Sequence, residues 1–283
     1  MPSTAPDLVE LNRVPPHEQR PDVIALHGFL QTLDSWRHLA PKFAARGARF
    51  TAFDLKGHGG SPCPPDGKYS LADHAAPILN FIRDNDLRGL TLIGHSFGGA
   101  VALRVAVRLV GEGRLRALVL VDSFLDPDAF RIRLLRTLGP LVASRLGWVL
   151  RWAPLARLAV RIGLWMLCRH PERIEPEAIE AYAANMRRPD RVRALIETGR
   201  QIAAAEYAQL WAELPSIEVP TLIVWGRQDR LLRENAAARL HGRIRGSELF
   251  VVDDCGHIPH EERPEIVVET IAAFASARAA PQR

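Results

Sequence analysis

From Val23 onward the chain alternates short, wholly apolar runs with longer stretches in which apolar residues recur every three or four positions. Val23-Ile24-Ala25-Leu26-His27, Arg49–Asp54, the run ending at Gly94 and Arg116–Asp122 read as buried strands. Leu33–Ala45, with Trp36, Leu39, Phe43 and Ala44 on one face and Gly47 as its stop, reads as a helix, as does Leu71–Asn85. A third helical run follows Ser96, through Val101, Leu103, Val105, Ala106 and Leu109. Residues 1–22 are rich in proline and polar groups and read as an irregular lead-in with an edge strand near Leu8–Leu11. Strands alternating with helices at this spacing imply right-handed crossovers and a mostly parallel sheet with helices on both faces.

The alternation stops at about Leu125 and resumes at Thr221. In between, proline-punctuated helical runs dominate: Ala129–Leu138, Leu141–Trp152, Leu155–Arg169, Pro176–Met186 and Arg191–Ala204. Thr221–Gly226 restores the sheet. A helix over Glu234–Leu240, a strand over Glu248–Val252, a loop at Cys255-Gly256-His257 and an amphipathic helix over Pro264–Ala275 complete the chain. The organisation expected is thus an α/β core in two parts, residues 1–124 and 216–283, with a helical insertion at 125–215.

Composition narrows the class. A chain of 283 residues, 47% hydrophobic and 24% charged, can bury a large core as one globular domain. No apolar run is long enough for a membrane span, and the start lacks an export signal. Cys63, Cys168 and Cys255 are odd in number and widely spaced, which suits free thiols in a reducing cytoplasm. The formal charge of +5 is concentrated between Phe130 and His170, where eight arginines occur with no acidic residue. Those arginines are interleaved with Leu, Ile, Val and Trp, and no nucleic-acid motif accompanies them, so nucleic acid is not the expected partner. Two readings of that stretch stay open: a solvated outer face, or contact with an anionic partner such as a carrier-bound acyl chain or acidic lipid headgroups.

The chemistry gathers where the predicted strands end. Gly94-His95-Ser96-Phe97-Gly98 has the G-x-S-x-G pattern and the strand–turn–helix setting of a nucleophile elbow. Acyl transfer by serine then needs a base, a carboxylate to orient that base, and donors for the oxyanion. His257, in a loop after the last strand, fits the base. Asp229, just after Trp225-Gly226, fits the acid, with Asp122 as second choice. His95, His58 and His260 read as structural, and Cys255 as a small packing residue. The pairs His257/His260 and His58/Asp54 do not make a zinc site, so neither a metal nor another cofactor is expected.

The order Ser96…Asp229…His257 resembles that of the α/β-hydrolase superfamily, and the likeness covers nearly the whole chain. It is carried by His27-Gly28-Phe29, by Asp54-Leu55-Lys56-Gly57-His58-Gly59-Gly60-Ser61 and by Gly94–Gly99. Gly226-Arg227-Gln228-Asp229 and Gly256-His257-Ile258-Pro259-His260-Glu261 complete it. Lys56 stands where these enzymes often carry Arg. The resemblance implies that the backbone N–H groups of Phe29 and Phe97 form the oxyanion hole, with both rings facing substrate. In the insertion, Leu155, Leu158, Ala159, Ile162, Trp165 and Met166 form one helical stripe that reads as core, yet a helical cap over the elbow must also roof the substrate, so Trp148, Trp152, Trp165 and Met166 would line its pocket. The function expected is a cofactor-free serine hydrolase acting on a carboxylic ester of an apolar small molecule. The same triad would also serve a C–C bond (meta-cleavage product) hydrolase, a perhydrolase, or an acyltransferase or thioesterase; a non-catalytic ligand receptor is the reading from another class.

Overall fold

The computed structural model describes residues 10–12, 22–125, 149–202, 204–232 and 234–276. Seven strands form one sheet in the order β1-β3-β2-β4-β5-β6-β7. They are β1 (Glu10–Asn12), β2 (Val23–Leu26), β3 (Phe50–Phe53), β4 (Leu90–His95), β5 (Leu115–Val121), β6 (Thr221–Gly226) and β7 (Glu248–Val252). β1 runs antiparallel to β3 at one edge, and every other neighbouring pair is parallel.

The parallel strands β2 to β6 are apolar toward both faces because helices cover both sides of the sheet, whereas the edge strand β7 stays partly exposed. In β5, Leu118 and Leu120 join one core layer, whereas Ala117, Val119 and Val121 join the other. The first layer is roofed by α2 (Leu71–Asp84), α3 (Phe97–Arg108) and α8 (Glu234–His241). The second is closed by α1 (Leu39–Ala44) and α10 (Pro264–Ser276). Ser70 and Asp73 cap the start of α2 reciprocally, satisfying donors that a helix end leaves free.

Between β5 and β6 the described residues are helical: α4 (Ala153–Leu167), α5 (Pro176–Arg187), α6 (Pro189–Gln201) and α7 (Ala204–Glu213). Three of these match the expected runs, and α7 is additional. The helix expected over Ala129–Leu138, and most of that over Leu141–Trp152, lie outside the described residues; Val149–Arg151 is a short 3-10 turn. The helix expected over Leu33–Ala45 is in fact two pieces, a 3-10 turn at Leu33–Trp36 and then α1. Pro41 explains the break. It has no N–H for the Arg37 carbonyl and its ring would crowd that oxygen, which disfavours a helix running through both residues.

Candidate active site

Ser96 sits between β4 and α3 with φ 48° and ψ −116°, a strained conformation for a residue with a side chain. The surroundings enforce it. The Ser96 N–H donates to the Val121 carbonyl, and the Ser96 carbonyl accepts from the N–H groups of Gly99, Ala100 and Phe124. A Cβ on Gly98 would overlap the carbonyl oxygens of Leu26 and His27, so the turn can sit this close to β2 only with glycine there.

His257 reaches that hydroxyl from the loop between β7 and the short helix α9 (Pro259–Glu262). Its Nε2 lies 3.0 Å from Ser96 Oγ, and its Nδ1 lies 2.7 Å from Asp229 Oδ2. A carboxylate only accepts, so Nδ1 carries the proton and Nε2 faces the hydroxyl as an acceptor. The other carboxylate oxygen, Asp229 Oδ1, accepts from the N–H groups of Leu231 and Leu232 at 2.7 and 2.8 Å. All three side chains are buried.

Asp122 ends β5 beside Asp229 and is wholly buried, its carboxyl group receiving the Gly226 N–H. Burial, and after it the adjacent Asp229, push Asp122 well above the usual carboxylate range. Asp229 makes the direct bond to His257. Among the described residues, Asp122, Asp229 and His257 bring donor atoms within 4.8 Å of one another, as a metal site would. Hydrogen bonds among themselves and with backbone N–H groups account for that closeness.

Residues outside the expected triad hold it in place. Glu262 is buried, and its carboxylate accepts from four backbone N–H groups: Arg169 and His170 after α4, and Gly256 and Ile258 on either side of His257. The His257 N–H itself donates to the Leu167 carbonyl at the end of α4. Gly256 permits this approach, since a Cβ there would meet the Cys168–Arg169 backbone. Asn185 of α5 bridges to the Gly59 N–H and the Gln31 carbonyl. His95 packs behind the elbow, its Nε2 2.8 Å from the His257 carbonyl. Glu262 and Asn185 escape sequence reading because their partners are backbone groups far away in the chain.

Phe29 and Phe97 are neighbours, with ring centroids 6.3 Å apart. The Phe97 ring is buried and meets His74 edge-on, so it belongs more to the core than to a substrate wall. The expectation for the insertion's large side chains is corrected. Trp152, Trp165 and Met166 are 65%, 66% and 50% exposed and face outward. The face of α4 turned inward carries Ala156, Val160 and Leu164 instead. Periodicity cannot separate those faces when both are apolar. Trp148 lies outside the described residues.

A parallel sheet with this connectivity and a serine–histidine–aspartate constellation at its carboxyl edge define a class of hydrolases. The family model for the alpha/beta hydrolase fold matches residues 21–264, and the chain belongs to that family. It is 25% identical over 262 residues to the uncharacterized hydrolase YugF of Bacillus subtilis, covering 91% of this chain and 92% of that one. It is 29% identical over 239 residues to a 2-hydroxymuconate semialdehyde hydrolase of Pseudomonas putida, covering 81% and 78%. A solved thermophilic esterase from Thermogutta terrifontis shares the fold with a TM-score of 0.75 at 23% identity, over 96% of this chain and 93% of that one. No helix among the described residues is long and apolar enough to cross a membrane.

Proposed function

We propose that this hydrolase cleaves carboxylic esters of apolar small molecules through an acyl-enzyme on Ser96. The observation that carries the proposal is the continuous hydrogen-bonded line from Asp229 through His257 to a serine held in a strained elbow. In this mechanism His257 takes the Ser96 proton as Oγ attacks the ester carbonyl, then returns it to the departing alcohol. Asp229 fixes the tautomer that leaves Nε2 free and stabilises the imidazolium that forms. The N–H groups of Phe29 and Phe97 receive the oxyanion, a contribution of typically ~10²–10³ in rate for each donor. Water activated by His257 then releases the acid.

Residues 125–215 act as a cap over this site. Supporting that role are the bonds from the His257 N–H to the Leu167 carbonyl, from the Arg169 and His170 N–H groups to Glu262 of α9, and from Asn185 to the loops after β2 and β3. The enzyme works without a cofactor in the reducing cytoplasm, where Cys63, Cys168 and Cys255 stay free thiols.

The test is hydrolysis of p-nitrophenyl esters from acetate to palmitate by the wild type and by Ser96→Ala. Loss of activity in the variant, with a chain-length optimum in the wild type, is expected. Activity surviving in Ser96→Ala overturns the mechanism. Inactivity of the wild type on every ester, with turnover of a vinylogous diketone, reassigns the same triad to C–C bonds.

A further inference from the structure

Helix α4 is apolar on two opposite sides. Ala156, Val160 and Leu164 pack with Ile174, Ala178, Ile179 and Ile258. On the other side Leu158, Ile162, Trp165 and Met166 stand half exposed or more, with Trp152 just ahead of the helix. Of the nine large hydrophobic side chains exposed among the described residues, these are five. An open groove of about 520 Å³ runs alongside, between Ile162 and Trp165 on α4 and Pro171, Glu172, Ile174 and Pro176 across from them, with Glu172 paired to His170. A helix with a water-facing side ordinarily makes that side polar, so a second apolar side calls for a second cover.

The charges bordering this side select the cover. Arg151, Arg157 and Arg161 accompany it, and no acidic residue occurs from Phe130 through His170. Arg157 pairs with Glu180 across the gap to α5, whereas Arg151 and Arg161 have no ion-pair partner among the described residues. A symmetric contact with a second copy would set this cationic side against itself, which like-charge repulsion opposes. Indole rings at both ends, aliphatic side chains between them and the Arg151 and Arg161 guanidinium groups at the border form the surface that an anionic bilayer accepts. Indole seats at the headgroup level, the aliphatic groups enter the acyl boundary, and the arginines meet anionic headgroups.

We propose that the outer side of α4 docks this protein on anionic lipid bilayers. The C-terminal end of α4 lies next to the site, because the Leu167 carbonyl there receives the His257 N–H. A consequence resting on the ester-hydrolase reading is that the substrates are lipophilic esters presented by the membrane. The docking itself does not depend on that reading.

The test is co-sedimentation of the full chain with phosphatidylcholine vesicles, and with vesicles in which about a third of the lipid is phosphatidylglycerol. Binding at least about tenfold stronger to the anionic vesicles, and weaker in high salt, is expected. Arg151→Gln with Arg161→Gln should lower partitioning roughly 25-fold, about fivefold for each arginine. Leu158→Ser with Ile162→Ser should lower it about tenfold or more, as removal of two inserted aliphatic groups requires. Both pairs should keep wild-type melting and wild-type hydrolysis of soluble p-nitrophenyl acetate. Ser96→Ala should bind vesicles as the wild type does, so docking and hydrolysis can fail separately. No vesicle binding, equal binding to neutral vesicles, or binding indifferent to both pairs would overturn the proposal. So would a concentration-dependent dimer broken by Leu158→Ser with Ile162→Ser, which would assign this side to a second copy.

Discussion

Helices α3 and α4 both carry apolar residues on more than one side, yet they are used in opposite ways. Every residue of α3 from Phe97 to Ala106 is buried, between the sheet on one side and α2 and α7 on the other. In α4 only Ala156, Val160 and Leu164 are buried, and leucine, isoleucine, methionine and tryptophan face out. An apolar helix at the centre of a layered fold has its cover supplied by the fold. The same kind of helix in an insertion must find part of its cover elsewhere. Chemistry follows the same division: the strained, fully enclosed end of α3 carries Ser96, and the far end of α4 carries the backbone that registers His257.

The largest test of this contrast concerns the buried acids on the enclosed side. Asp229→Asn should lower kcat by ~10³–10⁴, since an amide no longer enforces the working tautomer of His257. Asp122→Asn should change it less than about tenfold, because Asp122 accepts the Gly226 N–H, a bond an amide oxygen keeps, and makes no bond to His257. Equal losses in steady-state assays would mean that both acids act on His257.

Next in size is packing. Leu103→Ala in α3 removes a side chain with no exposed surface and should cost about 2–5 kcal/mol in urea denaturation.

Acid sensitivity should come third. His27, His58, His74, His95 and His260 are all buried, and burial is the main cause that pushes each below its ordinary value, His27 to about 4 and His58 to about 3. Their folded values lie below the unfolded one, so the unfolded chain binds more protons in between. The stabilisation is therefore complete above about pH 6.5 and lost as pH falls from there towards 4. For His27 alone the span corresponds to about 3 kcal/mol. Urea midpoints should hold steady between pH 8 and about 7 and fall steeply below about 6.5; a flat profile to pH 5 would show that the imidazoles are charged in the folded state.

The smallest effect closes the comparison. Leu158→Ala on the outer side of α4 should shift stability by no more than about 0.5 kcal/mol in the free protein. A loss like that of Leu103→Ala would show that this side is already covered.

Much of this was legible before the structure, for reasons that differ by element. β4, the elbow and α3 were readable because apolar periodicity changes from strand-like to helical across Gly94–Gly98, with glycine where close approach demands it. Ser96, Asp229 and His257 were readable as side chains at predicted strand ends. α1 was misjudged because a helical stripe continues through Pro41, whose effect falls on a carbonyl four residues earlier. The pocket residues assigned to the insertion were misjudged because α4 has two apolar sides and the pattern does not rank them. The latch from Glu262 to Arg169, His170, Gly256 and Ile258 has no signature, since any residue can offer a backbone N–H.

The central claim is that the enclosed elbow makes Ser96 a nucleophile driven by His257. Its most direct test is labelling with a fluorophosphonate, read by intact-protein and peptide mass spectrometry. A single adduct on Ser96 is expected in the wild type, formed at least ~10²-fold more slowly in His257→Ala and absent in Ser96→Ala. An adduct on another residue, or labelling of Ser96 at an unchanged rate without His257, would contradict the account.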